Sequence, residues 1–138
     1  MGNIRVEGKK LIYQRKDELT IIEPYGMNCL RCRSTKNSKI LDENWTVLPP
    51  ATADDCHIEC DGKFATITNG AMKATIDAGQ IWYGGIITYF KKDTPVLHTR
   101  FEGDYSNRNQ HIEGDHYKIS VIFDANEGEH FYGIGQEQ

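Results

Sequence analysis

Cys56-His57-Ile58-Glu59-Cys60-Asp61-Gly62-Lys63-Phe64-Ala65-Thr66-Ile67-Thr68-Asn69-Gly70-Ala71-Met72-Lys73-Ala74-Thr75-Ile76-Asp77-Ala78 is the stretch that decides how this chain folds. Apolar and polar residues alternate in it over five to eight positions at a time, the period of a strand with one face buried. Asp61-Gly62 and Asn69-Gly70 interrupt the alternation where two hairpin turns would fall. Both pairs tolerate positive φ, so they predict type I′ turns and a three-strand meander over Cys56–Cys60, Lys63–Thr68 and Ala71–Ala78. In the third strand Met72, Ala74, Ile76 and Ala78 form the buried row, and Lys73, Thr75 and Asp77 the wet one.

The same device repeats on either side. Tyr117, Ile119, Val121 and Phe123 alternate with Lys118 and Ser120. Leu11–Tyr13, Leu19–Glu23, Met27–Arg33, Trp45–Leu48, Gln80–Tyr83, Ile86–Phe90 and Pro95–Phe101 read as further strands, separated by Gly, Pro and Asp. No segment keeps a helical period for a dozen residues. About ten short strands with turn signals between them predict an all-β chain, a sandwich of antiparallel strands joined by hairpins. Glu102–Asp115 is polar and rich in Asn, Asp, Gly and His, so it reads as a long surface loop. No repeat or linker divides residues 1–138, which read as a single domain.

Composition narrows the function. A hydrophobic share of 38% is too high for a disordered chain, and a net charge of −4 disfavours nucleic acid as a partner. No apolar run reaches the ~18 residues of a membrane span, and the start of the chain has no signal-peptide core. Val6 stands where a myristoylation signal needs Ser or Thr. The expected setting is cytoplasmic, without membrane association. Cys29-x-x-Cys32 and Cys56-x-x-x-Cys60 invite a zinc reading. On a strand, however, positions three apart point to opposite faces, and Cys56, Ile58 and Cys60 would form a thiol-lined core row. Reduced structural thiols are expected, with no metal and no cofactor.

Candidate chemistry is sparse. The five histidines show no metal-binding spacing, and His111 and His116 beside Glu113 and Asp115 read as solvated loop residues. No catalytic residue can be named. Sugar rings stack on aromatic faces while amides and carboxylates take their hydroxyls. Trp82, next to Tyr83, and Tyr105, followed by Asn107, Arg108, Asn109 and Gln110, are therefore the candidate oligosaccharide contacts.

The segment Glu129-His130-Phe131-Tyr132-Gly133-Ile134-Gly135-Gln136 resembles the junction between the N-terminal β-sandwich and the catalytic barrel in glycoside hydrolase family 31. Leu30-Arg31-Cys32-Arg33 resembles an Arg-apolar-Arg strand of that family, and Ile67–Ala74 one of its hairpins. Gln136 in place of Glu brings the likeness nearest its α-xylosidase and α-glucosidase branch, and Ile134 in place of Leu is a volume-conserving departure from the family pattern. The resemblance implies a galactose-mutarotase-like sandwich packed on a (β/α)8 barrel. It implies that Phe131, Tyr132, Gly133, Gly135 and Gln136, within a junction spanning 129–138, lead toward that barrel. The retaining chemistry needs two carboxylates about 5 Å apart. Those would lie on the barrel, which takes about 250 residues, so these 138 residues are expected to be inactive alone. Two alternatives remain: an autonomous carbohydrate-binding module, and a mutarotase-like epimerase with a His acid and a Glu base.

Overall fold

A computed structural model describes residues 2–15, 18–43, 55–79, 86–98, 108–113, 116–121, 123–125 and 127–129. Every regular element among them is a strand. These are β1 (Asn3–Glu7), β2 (Lys10–Arg15), β3 (Glu18–Pro24), β4 (Leu30–Thr35), β5 (Cys56–Cys60), β6 (Phe64–Asn69), β7 (Met72–Asp77), β8 (Ile86–Lys91), β9 (Thr94–His98), β10 (Arg108–Glu113) and β11 (His116–Val121). They build two antiparallel sheets in sequential order, β1-β2-β3-β4 and β5-β6-β7-β8-β9, and a separate β10-β11 hairpin.

The core lies between the two sheets. Strand alternation sends Ile4, Leu11, Tyr13 and Ile22 inward from the first sheet. Ala65, Ile67, Ala74, Ile76, Ala78 and Ile87 meet them from the second. β1 lies against β5, β3 against β6 and β4 against β7, the face-to-face arrangement of a β-sandwich. Three alanines on one side and Tyr13, Leu11 and Ile22 on the other let large and small side chains share the layer. The first sheet is not wet on its outer face. Ile12 and Leu19 point away from the shared core yet are buried. The chain after β4 returns over that side, where the Leu41 carbonyl accepts a 3.1 Å bond from Arg33 Nη1.

Several expectations need correcting. The meander of β5, β6 and β7 is present, but its turns are not type I′. Asn69 pairs with Met72, and Asp61 N donates to Phe64 O. The central residues are therefore Gly70-Ala71 and Gly62-Lys63, and positive φ falls on the first alone, at 57° and 90°. That is the pattern of type II′ turns, with Asp61 and Asn69 one place earlier than the sequence suggests. β4 begins at Leu30, not Met27, because Gly26 (φ 82°) and Asn28 (φ 55°) carry the chain through a turn. β1 has no counterpart among the expected strands although Asn3-Ile4-Arg5-Val6-Glu7 alternates strictly; it is short, and only Ile4 of its five residues is buried.

Glu102–Asp115 is not all loop. Arg108–Glu113 forms β10, paired in register with β11 from Arg108↔Val121 to Glu113↔His116. Polar residues there accept a strand conformation because the partner supplies the hydrogen bonds, which a propensity reading cannot see. Cys56 and Ile58 pack beside the core as expected, whereas Cys60, last in β5, is exposed. The candidate strands Trp45–Leu48 and Gln80–Tyr83 lie outside the described residues.

Candidate functional site

Trp82, Tyr105, Phe131, Tyr132, Gly133, Gly135 and Gln136 lie outside the described residues. His111, Glu113 and His116 fall on the β10-β11 hairpin, with Glu113 and His116 opposite one another. All four cysteines are free thiols. Cys29 sits in the turn before β4 and Cys32 on the strand, both exposed. Burial pushes the Cys56 thiol up, which keeps it protonated at neutral pH. Among the described residues no three His, Cys, Asp or Glu side chains come together as metal ligands.

Three polar arrangements do form, and none was evident in the sequence. The first joins the sheets. Asn69, at the end of β6, donates through Nδ2 to the carbonyls of Gly26 (2.8 Å) and Cys29 (2.6 Å) in the β3-β4 turn. That turn answers through Asn28, whose Oδ1 accepts from Ala71 N at 2.6 Å. The second surrounds Glu23 on the outer face of the first sheet. Its Oε1 accepts from Arg31 Nε (2.9 Å) and Arg33 Nη2 (2.7 Å), and Lys10 Nζ lies 3.6 Å from Oε2. Arg31 also stacks on Tyr25, 4.3 Å from the ring centroid. Burial pushes the Glu23 carboxyl up, but the two guanidiniums outweigh it and hold it below the usual carboxylate range. A carboxylate kept ionised in this way cannot serve as a general acid near neutral pH.

The third arrangement lies on the outer face of the second sheet. Glu59, Cys60, Asp61, Phe64 and Thr66 line a shallow depression of about 310 Å³. Asp61 caps the β5-β6 turn, its Oδ1 accepting from Lys63 N (2.8 Å) and Phe64 N (2.6 Å). Those two amides hold its carboxyl below the ordinary range. His57 and Glu59, two apart on β5 and so on one face, approach to 3.3 Å. Both side chains are three-quarters exposed.

No family model matches the sequence, and no curated protein matches it. The crystal structure of a GH31 α-xylosidase from a soil metagenome, complexed with xylose, aligns with the chain at a TM-score of 0.81. The fold is shared with part of that enzyme. Sequence identity over the match is 21%, and the match covers 98% of this chain and 22% of that one. This chain therefore spans about a fifth of the solved relative's length.

Proposed function

We propose that this chain is a non-catalytic β-sandwich domain of a glycoside hydrolase family 31 enzyme, of the galactose-mutarotase-like class, acting in carbohydrate metabolism. It packs on a (β/α)8 barrel that carries the catalytic carboxylates, and it helps shape the barrel's mouth. The parent activity is a retaining α-xylosidase or α-glucosidase in a cytoplasmic setting. The observation that carries this reading is the likeness over 98% of the chain to a piece of a GH31 α-xylosidase. The segment Glu129–Gln136 supports it as well, because its sequence resembles the family's sandwich-to-barrel junction.

Two assays test it. The 138-residue chain is expected to turn over neither aryl α-xylosides nor aryl α-glucosides. Hydrolysis above a heat-killed control would sink the non-catalytic role. The coding sequence that contains this chain is expected to encode a barrel with Asp residues at its strand ends, and its absence there would remove the family reading.

A further inference from the structure

We propose that the depression around Phe64 is a binding subsite for a neutral pyranose, one ring of an oligosaccharide lying on the outer face of the second sheet. The proposal stands on the chemistry of that face rather than on the family reading, so the two can fail separately.

Phe64 is 46% exposed at the start of β6, and alternation turns it away from the sandwich core. Phe90, another phenyl ring on this face among the described residues, is already occupied. Lys73 Nζ lies 4.7 Å from its centroid and pairs with Asp93 at 3.2 Å. No cation lies over Phe64 among the described residues. An aromatic face left in water beside hydrogen-bonding groups is what the C–H face of a sugar ring requires.

The groups around the ring set the ligand's class. Glu59 sits directly across from Thr66, and Asp61 closes the turn beside Phe64. Two carboxylates and one hydroxyl form a set dominated by acceptors, which suits a ligand that donates several O–H groups. Among the described residues no Lys or Arg side chain lines the depression, so a phosphate or carboxylate ligand would meet like charge. Two carboxylates, Asp61 engaged by backbone amides and Glu59 lying 3.3 Å from His57, fall short of the six to eight oxygens of a calcium shell. A volume of about 310 Å³ stands at the small end of ligand sites, room for one ring. Beyond it Thr66, Thr75 and Thr88 stand in one cross-strand row over β6, β7 and β8, a line of hydroxyls along which the next rings would lie.

The test is a backbone-amide NMR titration of the whole chain with maltotetraose and with an α-xylosyl-glucose disaccharide. Calcium chloride and inorganic phosphate serve as comparison ligands. Saturable shifts are expected at Glu59–Thr66 and at Thr75, with a Kd of about 1–10 mM for at least one sugar. Phe64→Ala should weaken that binding about tenfold, Phe64→Trp should retain it, and Phe90→Ala should leave it unchanged. Should Phe64→Ala lose its dispersed spectrum, Glu59→Gln takes its place, with a weakening of about threefold expected. The assignment is overturned by the absence of saturable shifts with either sugar, by shifts centred elsewhere, by an equal response to calcium or phosphate, or by undiminished binding in the Phe64 or Glu59 variant.

Discussion

Asn69 is 1% exposed, and its amide group bridges two backbone carbonyls that belong to the other sheet. Asn69→Ala would leave the buried Gly26 carbonyl without that donor, while the Cys29 carbonyl keeps the Tyr25 amide at 3.0 Å, a cost of about 1–3 kcal/mol. Urea denaturation should show that loss as a lower midpoint with an unchanged m-value. Glu23 makes a second residue-scale prediction. Its folded-state affinity for protons is lowered by Arg31 and Arg33, so the unfolded chain binds the proton more readily. The stabilisation is then complete above the ordinary glutamate pKa of about 4.3 and is lost as pH falls through the lower folded value. Glu23→Gln should flatten that part of the acid-unfolding curve. At pH 7 it should cost about 2–3 kcal/mol, under the range for a fully dry pair because both arginines keep some exposure. Neither role was legible beforehand. Asn69 looked like a turn residue and Glu23 like a strand end, because partners 40 and eight residues away are not marked in a sequence.

The hairpins share one device and one exception. Gly8, Gly62 and Gly70 each take the first central turn position with positive φ. At Gly70 the constraint is double, since a Cβ there would collide with Asn28 Oδ1. The β8-β9 turn, closed by Lys91↔Thr94, puts Lys92 at the same place with φ 55°. A side chain at that backbone conformation costs about 1–2 kcal/mol. Lys92→Gly should therefore stabilise the protein by about 1 kcal/mol, raising the thermal midpoint by several degrees. Loss of stability in that variant would mean that the strain is absent. The strands themselves were readable wherever one face is buried, as in β6 and β7. β10 was not, because a polar strand owes its conformation to a partner's hydrogen bonds rather than to its own pattern; β1 does alternate, but over five residues with one buried side chain the signal is short.

The two sheets bury their main apolar rows against each other, so the shared layer depends on both. Ile22→Ala, in the first sheet, should cost about 2–5 kcal/mol. Hydrogen exchange should then accelerate in β6 and β7 of the second sheet as much as in β2 and β3, because one cooperative unit opens. Protection retained in β6 and β7 would divide the sandwich into independent halves. At this scale the amino-acid sequence by itself determined the fold class, the meander and the inward row of the second sheet. Those rest on period-two alternation and on glycine's access to positive φ, both local properties. Only the tertiary structure decided that Asn69 clasps the opposite sheet, that Glu23 is held between two arginines, and that Phe64 is left open beside two carboxylates. Each of these depends on which segments lie side by side, and that is settled by the shared burial of distant strands rather than by any one of them.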